Sequence, residues 1–304
     1  MGAKFRQIQR RIDGIRSTIK ITRAMELVAT SRIAKAQARL VQARPYAQRI
    51  QQAINELAGV TEVTTEFPLL KPREQIRASG LLLITSDRGL AGSYNSNVIR
   101  VAERFMRERR GRDVATRLHV VGRKGLSYFR FRGYELASQA TGISDAPRFE
   151  DAERVGQQLV EEFINEQVDE VHVAYTDFRS AGSQVATTTQ LLPVKEVRER
   201  REGEIPALYE FEPEPSVILT LLLPRYVNTV IFAALLESST SEHAARRRAM
   251  KAATENGEEL VKVYTRVANR ERQAEITSVI MEVVGGAEAL RESAERKREL
   301  AGVG

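Results

Sequence analysis

The stretch from Ser216 to Ala301 contains no turn signal apart from Pro224 near its start, Gly257, and the Gly285-Gly286 pair. It reads as one long helix. At 1.5 Å per residue, a helix of some eighty residues is roughly 120 Å long, so it cannot bury its apolar stripe inside a compact domain and needs a partner along most of its length. Between Leu235 and Val284 the inward positions can be walked in steps of three and four: Leu235, Ser238, Glu242, Ala245, Ala249, Ala252, Asn256, Leu260, Val263, Val267, Arg270, Ala274, Thr277, Met281 and Val284. That pattern predicts a coiled-coil seam holding small and polar residues.

The partner is expected at the other end of the chain. From Phe5 to Leu57 apolar and small residues again advance by threes and fours, through Ile8, Ile12, Ile15, Ile19, Thr22, Met25, Ala29, Ile33, Ala36, Leu40, Ala43, Ala47, Ile50 and Ile54. The step averages near 3.5 residues, as in a second coiled-coil helix. Pro45 removes one backbone donor and predicts a kink, and Gly59 with the polar stretch before Pro68 ends the helix.

Between the helices the pattern changes. Leu81 to Ile84, Leu118 to Val121 and Val171 to Tyr175 are short β-type runs, while 95–110, 123–132 and 150–167 have helical spacing. Strands alternating with helices predict a mainly parallel, helix-covered sheet. A further strand, Gln184 to Leu192, follows the Ser180-Ala181-Gly182-Ser183 turn and is expected to be an antiparallel edge. Pro206, Pro213 and Pro215 forbid a continuous helix over the charged connector that follows. The expected organisation is therefore an N-terminal helix at 1–58, an α/β insert at 75–195, a connector at 196–215 and the C-terminal helix at 216–301. The fold class is α plus α/β: an antiparallel coiled coil of long N- and C-terminal helices with an inserted Rossmann-like domain. The C-terminal helix is some thirty residues the longer, so part of it must project alone or meet another protein.

Composition narrows the function. The 304 residues include no cysteine and no tryptophan, which excludes a disulfide framework, thiolate metal sites and a catalytic thiol, and fits a reducing compartment. The basic N-terminus is followed by no apolar core segment, and no uninterrupted run of eighteen apolar residues occurs, so the expectation is a chain neither exported nor membrane-spanning. The net charge of +7 invites a nucleic-acid partner. Against that, Arg and Lys are interleaved with Asp and Glu, with no dense basic block and no aromatic platform.

Few residues suggest a catalytic or cofactor site. The loop from Ser86 to Ser93 follows a strand and precedes a helix, yet lacks both the GxGxxG spacing and the Lys-Ser/Thr ending of a phosphate loop. His119, His172 and His243 have no second ligand at metal spacing, Glu161-Glu162 and Glu258-Glu259 read as solvated helix faces, and no Ser/His/Asp arrangement can be assembled. An independent active site, a cofactor and a metal are not expected. Two stretches depart from ordinary coiled-coil choices. Ser238 to Arg246 places small and polar residues throughout a predicted helix, as suits either a closely packed small-residue seam or a helix that touches more than one surface. Arg272, Gln273 and Thr277 lie close along the helix and can present several hydrogen-bonding groups together.

Three blocks carry a resemblance. RIDGIRSTIKITRAMELVATSRIAKAQ (Arg11 to Gln37), SDRGLAGSYNSNVI (Ser86 to Ile99) and SEHAARRRAMKAATENGEELVKVYTRVANRERQAEITSVIMEVVGGAEAL (Ser241 to Leu290) resemble, in that order, the γ subunits of F-type ATP synthases. The resemblance implies a non-catalytic rotor shaft, one copy per complex. Its paired helices would stand inside an α3β3 ring, with the insert and lower coil on the c ring beside the ε subunit, peripheral to the membrane at the cytoplasmic face of a bacterial cell. It implies that Arg272, Gln273 and Thr277 hydrogen-bond a loop of one β subunit and that Met25 faces the acidic lever of β. More loosely, it places Tyr209 and Glu212 toward the c ring or ε. Family members with thiol regulation carry a cysteine pair absent here, and Ala91 stands where some relatives have Cys. A structural coiled-coil hairpin with a globular head that binds protein or nucleic acid is the alternative. It expects a symmetric dimer interface or a basic face along the helices.

Overall fold

The computed structural model describes residues 3–58, 67–194 and 214–301. The elements run α1 (Ala3–Ala58), β1 (Ala78–Ile84), α2 (Tyr94–Arg110), β2 (Ala115–Val121), α3 (Arg123–Phe131), β3 (Ser138–Ala140), α4 (Phe149–Ile164), β4 (Glu170–Phe178), β5 (Gln184–Leu192) and α5 (Pro215–Ala301). Contacts gather the chain into two compact units, one of Met1–Met25 with Met250–Gly304 and one of Glu26–Ala249. The long helices contribute to both.

The larger unit is built on a five-stranded sheet in the order β3-β2-β1-β4-β5. β1, β2, β3 and β4 are parallel, and β5 closes the edge antiparallel to β4. Alternation along the strands divides two cores. Leu82, Ile84, Val171 and Val173 point to a face covered by α4, by Leu219, Leu223, Val227 and Ile231 of α5, and by Ile50, Ile54 and Leu57 of α1. Leu81, Leu83, Leu118, Val120 and Ala174 point to the other, covered by α2 and by Phe129 of α3. The buried, apolar β1 fits a central parallel strand with helices on both faces. β3 was not foreseen; with three residues it is too short to show a period. Gly122, before α3, has φ +93°, and a Cβ there would lie 2.2 Å from the Thr85 carbonyl oxygen, so only glycine lets β1 and β2 end so close together.

The expected kink sites are assigned as helix without interruption. α1 runs through Pro45 and α5 through Pro224. Pro45 is exposed, as is Val41 one turn back, and Thr220 one turn before Pro224 is exposed as well. The carbonyls left without an N–H donor therefore lie on faces open to water. α5 also corrects the hydropathy expectation. It contains an 18-residue window of mean hydropathy 1.7, enough by length and composition to cross a membrane. The averaged window tolerates scattered polar residues that interrupt a strict apolar run. Much of the most apolar part of α5 instead enters the sheet core at Leu219, Leu223, Val227 and Ile231.

In the smaller unit α1 shows the expected seam, with Ile12 and Thr22 buried and Phe5, Ile8, Ile15 and Ile19 half-buried. α5 does not. Ala252, Asn256, Leu260, Val263 and Val267 are exposed, and the inward residues are Met250, Thr254, Gly257, Val261, Tyr264 and Ala268. The pairing turns on Gly257: a Cβ there would come within 2.7 Å of Ile19 Cγ1. The larger apolar side chains of α5 cannot replace this contact, because the α1 isoleucines already fill the space between the helices.

Two helical glycines of this unit, Gly14 and Gly257, should therefore respond oppositely to alanine. At Gly14 an added Cβ meets nothing within 4 Å, so Gly14→Ala should stabilise by about 0.5–1 kcal/mol through helix propensity alone. Gly257→Ala should destabilise by about 1–3 kcal/mol through overpacking. Urea unfolding of the full chain checks both; equal effects would show that Gly257 is not a packing site.

Candidate functional site

Four contacts define how α1 and α5 run past one another in the smaller unit. Thr22 Oγ1 is 2.7 Å from Thr254 Oγ1, and Ile19 packs on Gly257. The Arg11 guanidinium lies 4.9 Å above the Tyr264 ring, and Lys4 Nζ is 2.7 Å from Glu271 Oε1. Each step back along α1 matches an equal step forward along α5, an antiparallel register that sets Ala3, where α1 begins, beside Arg272. Beyond Arg272, α5 has no α1 residue opposite it among the described residues.

The three hydrogen-bonding residues singled out on α5 stand where the pairing runs out. Arg272, Gln273 and Thr277 are all exposed. Thr277 Oγ1 donates to the Gln273 carbonyl at 2.9 Å, which leaves its lone pairs and the Arg272 and Gln273 side chains directed to solvent. From Ile276 onward, Ile276, Val279, Ile280, Val283, Val284 and Leu290 are at least half exposed. Their spacing of three, four, seven and eight forms one apolar stripe. Met25 is half-buried and, by the same register, lies about twenty residues or roughly 30 Å along the helix from Arg272, so it is not part of that cluster. Tyr209 and Glu212 lie outside the described residues.

In the βα loops of the larger unit, a carboxylate of the chain itself takes the position where doubly wound sheets bind anions. Such sheets take ligands outside the carboxyl ends of their strands, with anions on backbone N–H groups at helix N-termini. In this chain Asp87 holds that position. Its carboxylate accepts from the backbone of Arg123, the first residue of α3, at 3.1 Å, from Gly142 at 2.9 Å and from Ser144 at 3.2 Å. Burial pushes the Asp87 pKa up, but the hydrogen bonds from Gly142, Ser144 and Arg123 outweigh it and hold the group below the ordinary carboxylate range. The loop also places Leu90 at φ +62° with its side chain exposed, an uncommon conformation for a branched residue that periodicity could not have revealed.

The histidines are structural. His119 is buried with Nδ1 2.8 Å from Ser138 Oγ and Nε2 3.2 Å from Glu162, which Arg117 also binds; burial lowers its pKa despite that carboxylate. His172 pairs with Glu170 at 3.0 Å beneath the Phe105 ring. Among the described residues no group of three His, Cys, Asp or Glu side chains could hold a metal.

Fold and site together define a paired-helix protein that carries a doubly wound domain and presents a single-helix tip with polar and apolar contact groups. The model of the ATP synthase family matches residues 4–290. The ATP synthase gamma chain of Salinispora tropica is 47% identical over 96% of this chain and 99% of its own. That of Frankia casuarinae is 48% identical over 95% and 99%. Among solved structures, the central stalk and c-ring of Tetrahymena thermophila mitochondrial ATP synthase contains a chain 28% identical, matched with a TM-score of 0.61 over 77% of this chain and 99% of that one. The rotor of Euglena gracilis mitochondrial ATP synthase, at 18% identity, shares the fold with a TM-score of 0.65 over 91% and 100%. The chain belongs to the ATP synthase gamma chain family.

Replacing Asp87 tests the internal anion. Its pKa is depressed in the fold, so its stabilisation is present above the ordinary carboxylate range and lost as pH falls through it. Asp87→Asn should cost about 1–3 kcal/mol at pH 7 and have a smaller effect near pH 3. Urea midpoints at the two pH values check this; a variant as stable as the parent at pH 7 refutes the role.

Proposed function

We propose that this chain is the central rotor shaft of an F-type ATP synthase, coupling ion-driven rotation of a c ring to conformational cycling of an α3β3 ring. The observation that carries this reading is the unpaired tip of α5. Burying one large aliphatic side chain is worth roughly 1.5–3 kcal/mol, so a stripe of six exposed ones, from Ile276 to Leu290, favours a surrounding protein surface. A ring that encloses the tip supplies it. In this reading Arg272, Gln273 and Thr277, at the base of that stripe, hydrogen-bond one β subunit at a time, and Met25 is assigned to the acidic lever segment of β further along the coil. Tyr209 and Glu212 are assigned to the c ring or ε by the family resemblance.

In this reading the chain is not itself catalytic. Asp87 already occupies the anion position of the inserted domain, and the chain transmits free energy between its partners without making or breaking a covalent bond. The functional division follows the helices: 1–58 and 216–301 form the shaft, 75–195 the insert that faces ε and the c ring, and 196–215 the connector. The bacterial relatives support a place at the cytoplasmic face of the plasma membrane, held there through the c ring, with one copy per complex. A nucleic-acid-binding hairpin fits less well. Lys4 is paired with Glu271 and Arg23 with Glu258, so basic residues along the coil face carboxylates and not a continuous basic surface.

Arg272→Leu and Gln273→Leu should impair assembly with α and β subunits or reduce ATPase turnover. A loss of about 10-fold or more is expected where a charged hydrogen bond to the partner is removed. Circular dichroism and the thermal midpoint of the isolated chain should not change, because both side chains are exposed. Unchanged assembly and turnover in both variants would eliminate the assignment.

A further inference from the structure

The α5 segment Ser238–Arg246 is buried almost throughout, yet most of it is polar or charged. Ser238, Ser239, Thr240, Ser241, Glu242 and His243 are each at most 2% exposed and Arg246 is 7% exposed. A helix that only had to cover a sheet would use alanine and leucine here, since buried charge is costly unless fully compensated. The compensation comes from two loops at the carboxyl ends of the strands, from Thr176 near the end of β4, and from within α5 itself. Ser239 Oγ donates to the Asp145 carbonyl at 3.1 Å, and His243 Nε2 lies 3.4 Å from the same oxygen. Asp145 also pairs through its carboxylate with Arg32 of α1, so one loop residue touches both long helices. Arg246 Nη2 donates to Glu242 at 2.5 Å and to the Gly89 carbonyl at 3.2 Å, while its Nη1 lies 3.4 Å from His243 Nδ1. Ser241 Oγ donates to the Thr176 carbonyl at 3.2 Å, and the Thr176 amide donates to Ser238 at 3.4 Å.

The apolar contact of α5 with the same sheet, from Leu219 to Leu235, is large but non-directional. Hydrophobic burial opposes separation of two surfaces much more than rotation or sliding of one over the other. Buried hydrogen bonds and ion pairs behave otherwise. They are satisfied in one register only, and displacing α5 takes Ser239 and His243 from the Asp145 carbonyl and the Arg246 guanidinium from the Gly89 carbonyl, which leaves buried polar groups without partners. A chain turned at one end and loaded at the other needs this second kind of contact between its insert and its helices.

We propose that the cluster centred on Asp145, His243, Arg246 and Glu242 is a register lock through which torque passes between the inserted α/β domain and the long helices. It thereby sets how tightly ion movement is coupled to ATP turnover and leaves the chemical rate alone. The proposal rests on the rotor reading above.

The test uses the complete complex reconstituted in vesicles with parent chain, Arg246→Gln or Asp145→Asn. ATP hydrolysis by the α/β ring with this chain alone, which loads only the tip, should stay within about twofold of the parent. Ions pumped per ATP in the vesicles should fall about fivefold or more, the lower range of coupling between linked sites. Ser239→Ala, a milder change, should lower the ratio less and in the same direction. The cysteine-free chain allows a rescue: a Ser239→Cys, Asp145→Cys pair added to Arg246→Gln should restore the ratio when oxidised and lose it again on reduction. Variants that pump as many ions per ATP as the parent while melting at lower temperature would show the cluster to be structural only and overturn the lock. A formed disulfide that fails to restore pumping overturns it too. A parent chain that supports no pumping at all refutes the rotor reading itself, so the two failures are distinct.

Discussion

The smaller unit depends on the contact of Ile19 with Gly257. Only a residue without a side chain lets α5 approach an isoleucine of α1 so closely, and that approach decides which face of α5 turns inward. Once Gly257 is inside, Thr254 and Tyr264 follow at helical spacing and meet Thr22 and Arg11. The antiparallel register is then set, and with it the point near Arg272 where the described residues of the partner helix end. Small residues thus buy close approach and a defined register in place of the larger burial a leucine seam would bring.

This explains what could and could not be seen in the sequence. The α1 seam was legible because its inward residues, Ile12, Ile15 and Ile19, are also its most apolar. On α5 the same rule points the wrong way: Leu260, Val263 and Val267 are more apolar than Thr254, Gly257 and Ala268, yet they lie outside. A pattern of hydrophobicity registers the sum of all the surfaces a helix will meet, and a helix with partners beyond its own chain carries more than one stripe. The alternating strands and helices of the insert were plain for the opposite reason, since each strand there meets only its own fold. β3 was hidden by its length, and Asp87 by the fact that its three donors come from segments up to 57 residues away.

The insert also shows what stands at the ligand position of a doubly wound sheet in this chain. The carboxyl end of the sheet is where ligands of doubly wound proteins sit. Here that region is filled by the chain itself: Asp87 supplies the anion to the start of α3, and the polar segment 238–246 of α5 lies against the neighbouring loops. The oriented amides that elsewhere bind phosphate are taken by Asp87, and α5 is held through the carbonyls of Asp145, Gly89 and Thr176. Polar residues on α5 that looked like a weak coiled-coil seam are the ligand of its own domain.

Segment 238–246 and the tip beyond Arg272 therefore solve opposite problems with similar residues. In the first, serine, histidine and arginine are buried against fixed partners on the loops and β4, and Glu242 pairs with Arg246 of its own helix, so movement there is penalised. In the second, arginine, glutamine and threonine are exposed, and their capacity for hydrogen bonds is left largely open. In the rotor role proposed above, a shaft rigid against its own insert that makes and releases contacts at successive positions would use both arrangements on one helix. The difference between them lies in desolvation: a polar group sealed from water is costly to unpair, whereas one still in contact with water can exchange partners at little cost. The same residue types can thus act as a weld at one level of α5 and as a releasable contact at another.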